Sequence, residues 1–233
     1  MISLNKKSKK LLLLQRNELL TQKQKLFRRR FGRFIFTNFF VDFYQDQEIE
    51  NKVEKLFESE FNSFSQYLPK HLNSIMDVGC GLGIIDIFLK KFFKKKLNFY
   101  LLDKNRIDKK IKYGFSKDYE SYNDLNETRN LLINNGLKDD YLNIFDVEKK
   151  IEIKQKIDLV ISLKSMGYHY PIENYLKLFS DCCTKETIFI FDISNNENSY
   201  NLLYKYFEKI NSIHEEKSIH PLKRLICTNY KLV

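Results

Sequence analysis

The stretch MDVGCGLG, from Met76 to Gly83, decides the fold, because it concentrates glycine in a chain that otherwise contains little of it. Three of the 7 glycines in the 233 residues stand here at alternate positions, Gly79, Gly81 and Gly83. Glycine loses more backbone entropy on folding than other residues, so such a cluster marks a sharp turn or a close approach of the backbone to another group. The run IMDV before the turn predicts a buried strand, and IIDIFLKKFFKKK after it predicts a helix.

Strand-like and helix-like segments alternate along the chain from about residue 74. Further buried strands are predicted for NFYLLD, YLNIFD, IDLVISL and TIFIFDI. Helices are predicted for 124–135, ended by Gly136, for a segment opened by Pro171, and for SYNLLYKYFEKI. Two last strands near 212–219 and 223–232 predict a terminal hairpin. This order is typical of an α/β protein with a parallel sheet and helices on both faces.

All of the net charge lies in one N-terminal segment, residues 1–33, which we call the basic arm. The arm holds eleven Lys and Arg and one acid, which gives +10, while the other 200 residues hold 29 bases and 29 acids. Residues 11–31 predict a basic helix, and the Phe-rich block after it is expected to pack on the body. A helix is predicted for 46–66. We therefore expect an N-terminal extension or lid over 1–69 and a ligand-binding domain over 70–233.

Composition narrows the class of protein. The chain contains no run of 18 apolar residues, so a transmembrane helix is not expected. The four leucines after the first lysines are too few for the apolar part of a signal peptide. The cysteines have neither metal-binding nor disulfide spacing, which favours reduced thiols in a cytoplasmic protein. They are Cys80, Cys182, Cys183 and Cys227.

The glycine pattern separates two kinds of nucleotide-binding fold. A dinucleotide fingerprint, G-x-G-x-x-G, needs glycine at position 84, where this chain has Ile84. The pattern here is G-x-G-x-G, preceded by Asp77. With the strands that follow, it resembles the class I S-adenosylmethionine-dependent methyltransferases over about residues 74–233. The resemblance implies a Rossmann-like α/β fold with a seven-stranded sheet, mostly parallel with an antiparallel last strand.

The same resemblance implies a cofactor, S-adenosyl-L-methionine, with S-adenosyl-L-homocysteine as the product. In that family the glycine loop approaches the methionine part, and an acid ending the second strand binds the ribose hydroxyls, a role that falls to Asp103. An acid after the third strand meets the adenine amine, which points to Asp146. The cofactor-binding residues implied in this way are Asp77, Gly79, Gly81, Gly83, Asp103, Lys104, Asp146, Val147 and Ser162.

The methyl acceptor is expected at the loop after the fourth strand, SLKSMGYHYP, because that loop faces the acceptor in the family. His169 is a candidate general base, since a neutral imidazole suits proton removal near neutral pH. The alternative is a structural histidine that fixes the loop or caps the next helix. Lys164 is a second catalytic candidate, which could hold an anionic acceptor. The expected acceptor contacts are Ser165, Tyr168 and Tyr170.

The loop lacks the sequence signatures of several classes of methyltransferase that differ in their acceptor. There is no D/N/S-P-P-aromatic motif of amino-methylating nucleic-acid enzymes, and Ser162 stands where metal-dependent catechol-type enzymes have aspartate, so no metal is expected. An oxygen acceptor is favoured. SMGYHYP is similar to sugar O-methyltransferases of bacterial surface-polysaccharide clusters, over about ten residues. We therefore expect O-methylation of a sugar or another small polar metabolite, with or without a phosphate.

Two other functions stay open at this point, and so does the role of the basic arm. The alternatives are an RNA methyltransferase and a non-catalytic cofactor-binding partner protein. The arm could bind a phosphate-bearing acceptor, an anionic membrane surface at the inner face of the membrane, or RNA. It could also be a solvated helix that covers the site. The sequence does not indicate an oligomeric state.

Overall fold

The computed structural model describes residues 2–43, 46–108, 121–167, 170–194, 197–216 and 221–231. Seven strands form one sheet: β1 (Ser74–Val78), β2 (Asn98–Asp103), β3 (Leu142–Asp146), β4 (Leu159–Ser162), β5 (Ile188–Ser194), β6 (Phe207–Glu216) and β7 (Leu222–Tyr230). The α-helices are α1 (Lys6–Gln15), α2 (Gln22–Phe31), α3 (Arg33–Phe43), α4 (Asp46–Asn62), α5 (Ile84–Phe93), α6 (Leu125–Asn134), α7 (Leu176–Cys182) and α8 (Glu197–Leu203).

The order of strands in the sheet is β3-β2-β1-β4-β5-β7-β6. All neighbouring pairs are parallel except those made by β7, which runs antiparallel to both β5 and β6. The predicted Rossmann-like sheet with an antiparallel last strand is therefore confirmed. Strand order reverses at the β1–β4 boundary, where ligands of open α/β sheets bind beyond the carboxyl ends of the strands.

Burial explains why the central strands read as continuous apolar runs. All five residues of β1 and all four of β4 are buried, because helices cover both faces of the sheet. One face packs against α1, α4, α5 and α6. The other carries an aromatic cluster in which Phe189 contacts Phe179, Phe207 and Tyr230, with ring centroids 4.9–5.3 Å apart.

The predicted helix over 11–31 is wrong in its continuity, since the chain breaks between α1 and α2. Thr21 starts the second helix through a capping box, in which its side chain accepts from the backbone of Gln24 and the Gln24 side chain accepts from the backbone N–H of Thr21. Asn5 caps the first helix by accepting from the N–H of Ser8. These polar contacts end and restart the helix where the apolar pattern alone suggests one continuous segment.

The predicted helix SYNLLYKYFEKI is also wrong in its second half. Helix α8 ends at Leu203, and β6 already begins at Phe207, which pairs with Tyr230. The spacing of Leu203, Phe207 and Ile210 fits a helix face. The rings of Phe207 and Tyr230, 5.6 Å apart, instead join these residues to the sheet. Tertiary packing here overrides a local helical pattern.

The basic arm is part of the body's core. Leu11–Leu14 are buried, and Leu11, Leu12 and Leu13 belong with Ile87 and Leu132 to one apolar cluster that crosses the expected boundary at residue 70. An ion pair crosses the same boundary, because Lys7 pairs with Asp124 at 2.5 Å. None of the helices in the described ranges is long and apolar enough to cross a membrane.

Candidate functional site

The glycine turn between β1 and α5 needs glycine for two separate reasons. Gly79, Gly81 and Gly83 have φ of 77°, 55° and 70°, the left-handed region that side chains disfavour. Space is also short: a Cβ on Gly79 would lie 2.0 Å from Ser165 Oγ, and one on Gly83 would lie 3.0 Å from Leu132. The turn is therefore pressed against β4's loop on one side and α6 on the other.

Hydrogen bonds fix this turn to the end of β2. The N–H groups of Gly79 and Cys80 donate to Leu102 O, at 2.7 and 3.2 Å. Gly81 N–H donates to Asp103 Oδ2 at 2.7 Å, and Lys104 N–H donates to Asp103 Oδ1 at 2.7 Å. The Asp103 carboxylate thus faces the turn. Burial raises its pKa to about 6 even though these backbone donors act in the opposite direction.

Besides Asp103, a pair of buried carboxyls lies at the base of the turn. Asp77 is a buried residue of β1, and Asp86, in the first turn of α5, is fully buried. Within the described part of the chain, the side chain that interacts with the Asp86 carboxyl is the neighbouring Asp77 carboxyl. Burial, with the neighbouring Asp86 and Asp103, raises the pKa of Asp77 well above its usual range, and burial raises the pKa of Asp86 to about 8. Since the pKa of Asp86 is about 8, its carboxyl keeps its proton near neutral pH.

Sequence reasoning identified Asp77 but missed Asp86. The available signal was a lone acid inside the apolar run IIDIFL, three residues after Gly83. An unpaired acid on a buried helix face requires a partner or a proton.

This pair predicts how stability depends on pH. A carboxyl with a raised folded-state pKa keeps a proton that the unfolded chain loses near pH 4, so stability falls as the pH rises from about 4 to about 8. Asp86→Asn, which resembles the protonated form, is expected to raise the melting temperature at pH 8 by several degrees and to flatten its fall between pH 5 and 8. Thermal melts of the ligand-free protein measure this. The exposed Asp140→Asn is the control, and equal behaviour of the two variants would contradict the prediction.

The residues expected to bind adenine lie at the end of β3, the strand that pairs with β2. Asp146 is level with Asp103 in the parallel register of β2 and β3, so both carboxylates stand at the same edge of the sheet. Val147 N–H donates to Asp103 O at 3.0 Å, which holds the chain after β3 against the end of β2. Both residues are half-buried. Their roles in adenine binding stay predictions.

The loop after β4 contains serines that hold its backbone in place as well as the residues predicted to act on the acceptor. Ser162 is fully buried; its hydroxyl donates to Val78 O at 2.6 Å and accepts from Met166 N–H at 2.8 Å. These two hydrogen bonds connect the loop to the end of β1. Ser165 packs on Gly79, as described above. Tyr168 and His169 lie outside the described residues, between Gly167 and Tyr170, so their predicted roles stay predictions.

Lys164 lies in an acidic surrounding. Its ammonium is 2.6 Å from Glu18, 3.5 Å from Glu216 and 3.6 Å from Glu60. Burial and the Arg16 guanidinium act to lower the pKa of Lys164, but the carboxylates outweigh them, so that this pKa is raised. The residue also has a left-handed backbone, with φ of 56°. An anionic acceptor at Lys164 would have to compete with carboxylates already in place.

Aromatic residues line the other side of the loop. Lys104 Nζ lies 5.1 Å from the ring centroid of Tyr170, within cation–π range. Sequence reasoning missed Tyr175, which follows Pro171 at the end of a short 3-10 turn. Burial raises the pKa of the Tyr175 phenol, and the nearby Tyr170 and Asp103 add to this effect. Tyr175 therefore stays a neutral hydrogen-bond donor close to the expected ribose-binding carboxylate.

The basic arm reaches the glycine turn at the end of α1. Gln15 Nε2, at the end of α1, donates to Tyr122 O at 2.7 Å, and its Oε1 would lie 3.1 Å from a Cβ on Gly81. From the body, Asn123 Nδ2 and Thr128 Oγ1 donate to Gly81 O at 2.8 and 2.9 Å. The arm and the segment before α6 thus enclose Gly81 together.

Strand order, the antiparallel β7 and the glycine turn at the switch point define the class I methyltransferase fold. No protein-family model matches the sequence, and no curated protein matches it in sequence. Solved structures do match the fold. StiE O-MT, residues 961–1257, aligns with a TM-score of 0.54 at 13% identity over 91% of this chain and 83% of that one.

Two further structures have the same fold. A precorrin-6y methyltransferase from Geobacter metallireducens GS-15 aligns with a TM-score of 0.50 at 11% identity, over 73% of this chain and 87% of that one. The T. thermophilus 16S rRNA methyltransferase RsmC, solved with AdoMet and guanosine, aligns with a TM-score of 0.50 at 11% identity, over 72% and 41%. At these identities the comparisons establish the fold of the chain.

Proposed function

We propose that the chain is an S-adenosyl-L-methionine-dependent methyltransferase that acts on a hydroxyl oxygen of a small polar acceptor. The observation that carries the proposal is the glycine turn, which is surrounded by the carboxyls of Asp77, Asp86 and Asp103. Burial raises the pKa of all three carboxyls, and the neighbouring Asp86 and Asp103 raise that of Asp77 further. A ligand that binds this turn meets one carboxylate, Asp103, and two buried carboxyls whose ionisation burial opposes.

Charge distinguishes the possible nucleotide cofactors. S-adenosylmethionine carries a sulfonium and an ammonium against one carboxylate, a net positive charge, and it has no phosphate. A dinucleotide would bring two phosphates beside the buried Asp103 carboxylate, which Coulomb repulsion at low effective dielectric opposes. The residues present fit S-adenosylmethionine: the backbone of the turn can approach the methionine part, and Asp103 can accept from two vicinal ribose hydroxyls.

The acceptor is inferred from the loop after β4. Lys164 is the cation of this loop, and Glu18, Glu60 and Glu216 surround it, so the loop offers little net attraction to a phosphate. This favours a neutral hydroxyl over a phosphorylated acceptor or the phosphates of RNA. The resemblance of SMGYHYP supports a sugar, as in surface-polysaccharide biosynthesis. The structural relatives include both an O-MT and an rRNA methyltransferase, so the choice of oxygen rests on the loop.

Chemistry at a neutral hydroxyl requires alignment and removal of a proton. When bound, the cofactor supplies an electrophilic methyl group on sulfur. The protein then has to orient the acceptor oxygen in line with that group, exclude water, and take the hydroxyl proton as the carbon–oxygen bond forms. In our proposal His169 accepts the proton, while Tyr170 and Tyr175 position the acceptor. Lys104, over the Tyr170 ring, fixes one of these aromatics.

The cofactor assignment predicts a specific loss of affinity. Asp103→Asn is expected to weaken binding of S-adenosylmethionine and S-adenosylhomocysteine roughly 10- to 100-fold, because a charged acceptor of two hydroxyls becomes a neutral one. Since the pKa of Asp103 is about 6, binding by the native protein should also weaken as the pH falls through 6 and the carboxylate is protonated. Calorimetry from pH 5 to pH 8 measures both effects.

The exposed Asp140→Asn serves as the control and should bind like the native protein. NAD should not bind. Binding of NAD without S-adenosylhomocysteine would contradict the proposed function. Methyl transfer itself is tested with isotope-labelled cofactor and a metabolite pool; tight cofactor binding without transfer to any component would favour the non-catalytic alternative. Transfer to RNA alone would favour the RNA methyltransferase.

A further inference from the structure

An apolar surface on α2 and α3 remains exposed after the basic arm has packed on the body. The described residues include ten strongly exposed large apolar side chains, and five of them lie between positions 26 and 39. We call these five the α2–α3 ridge: Leu26 (63% exposed), Phe27 (46%), Phe31 (45%), Ile35 (68%) and Phe39 (55%). Single exposed apolar residues need no explanation, but a concentration of this kind marks an interaction surface.

The members of the ridge are neighbours in space. The rings of Phe27 and Phe31, one helical turn apart, have centroids 4.3 Å apart. Phe27 also lies 6.1 Å from Phe36 of α3, which joins the two helices. Ile35 and Phe39 are again one turn apart. The ridge therefore consists of an apolar group on α2 and another on α3, on helices that pack against each other through Phe36.

The opposite faces of the same helices are already used. Arg28 is buried and donates to Leu13 O at 3.0 Å, while Phe36 and Phe40 are buried on the α3 side. The ridge is thus the outer face of two helices whose inner faces hold them on the body. Its exposure does not result from a helix that has failed to pack.

Three cations beside the ridge are available to a partner, unlike Lys6 and Lys7 of α1. In α1, Lys6 and Lys7 pair with Asp42 and Asp124, each at 2.5 Å. Residues 19–41 contain six Lys and Arg and no acid. Three of these, Lys23, Arg29 and Arg30, are exposed, and across the described ranges no acidic side chain pairs with them. Free positive charge is therefore concentrated around the apolar ridge.

We propose that the α2–α3 ridge docks on an anionic lipid surface, with its apolar side chains at the boundary between headgroups and acyl chains and its cations on lipid phosphates. Exposed apolar residues flanked by Lys and Arg are the features that hold a helix in the plane of a membrane. Electrostatic attraction contributes about 1 kcal/mol for each Lys or Arg near such a surface. Docking at the surface is also consistent with described helices too short and polar to span a membrane.

Two other occupants fit the ridge less well. RNA bases stack on aromatic rings, but the two most exposed members, Ile35 and Leu26, are aliphatic. A second copy of the chain, joined by two-fold symmetry, would place the same excess of positive charge against itself. A lipid surface accommodates both the aliphatic groups and the charge.

The test is co-sedimentation of the full chain with vesicles. The protein should bind vesicles made of equal parts phosphatidylglycerol and phosphatidylcholine, and should not bind phosphatidylcholine alone. Ile35→Ser should lower the partition coefficient roughly 10-fold, because it removes one large apolar side chain from the interface. Arg29→Gln with Arg30→Gln should lower it roughly 30-fold at low salt. Ile133→Ser, an exposed isoleucine on α6, is the matched control and should bind like the native chain.

The readouts separate this proposal from the proposed function. Affinity for S-adenosylhomocysteine should be unchanged in Ile35→Ser, since the ridge contributes no residue to the glycine turn. The proposal is overturned if the native chain ignores anionic vesicles, or if Ile133→Ser loses binding as strongly as Ile35→Ser. It is also overturned if the ridge variants instead abolish binding to single-stranded RNA, or dissociate a dimer seen by light scattering, while vesicles are ignored.

Discussion

Replacing His169 by alanine is expected to lower turnover about 10²–10⁴-fold, the usual contribution of a positioned general base. A sugar hydroxyl is too weak an acid to ionise at neutral pH, so its proton must pass to the protein as the new bond forms. Affinity for S-adenosylhomocysteine should change little, because His169 is not among the residues predicted to bind the cofactor. Steady-state kinetics and calorimetry on the same preparation measure the two quantities.

The pH dependence of the proposed methyl transfer should also report on His169. The rate is expected to rise as the imidazole loses its proton, since only the neutral form can accept one. His169→Ala should remove that rise, whereas His71→Ala, an exposed histidine before β1, should retain it. Near-normal turnover of His169→Ala beside an inactive Lys164→Ala would overturn the assignment and indicate an anionic acceptor. Loss of folding in His169→Ala, seen by circular dichroism, would support the structural alternative.

Gly79→Ala is expected to cause the largest loss of stability at the glycine turn, about 2–5 kcal/mol. The left-handed backbone accounts for about 1–2 kcal/mol of this, and overlap of the new Cβ with Ser165, 2.0 Å from Oγ, accounts for about 1–3 kcal/mol. Cofactor binding should be lost as well, because the turn cannot keep its bonds to Leu102. Chemical denaturation measures the change in the free energy of unfolding.

Two further variants separate the two causes. Gly136 also has a positive φ, 92°, but no atom lies within 4 Å of a Cβ built there. Gly136→Ala should therefore lose only the backbone part, about 1–2 kcal/mol. Adding Ser165→Gly to Gly79→Ala should recover the part caused by overlap. Equal losses in Gly79→Ala and Gly136→Ala, with no recovery in the double variant, would show that the close approach of Ser165 is unimportant.

Much of the fold could be predicted from local sequence, and β2 shows why. NFYLLD was predicted to the residue, since a buried parallel strand is a short apolar run and its acid stands at the end. Gly136, with φ of 92°, ends α6 as expected. The strand order could be inferred only through the family resemblance. Spacing failed where a cap or a distant partner decided the outcome, at Thr21 and at Phe207.

The candidate site was predictable in part, for a related reason. A glycine turn and an acid at a strand end are encoded locally, and the structure brings Gly81 and Asp103 into direct contact. Gln15, Asp86 and Tyr175 were missed because their relevance depends on which distant segments pack beside them. The acidic surrounding of Lys164 combines Glu18, Glu60 and Glu216 from widely separated parts of the chain. No spacing rule could have grouped these residues.

The docking of α1 also affects the order in which the chain folds while it is being synthesised. Its partners come late: Ser3 N–H donates to Asn135 Oδ1, 132 residues further along, and Gln15 bonds to Tyr122. At about 5–20 residues per second on the ribosome, roughly 7–26 seconds pass before that partner has been made. During this time α3 and α4 can already cover part of the apolar residues 11–14, but the surface that α6 supplies is still missing. α1 therefore reaches its full set of native contacts only after α6 has been made, and a nascent-chain chaperone would act in that interval.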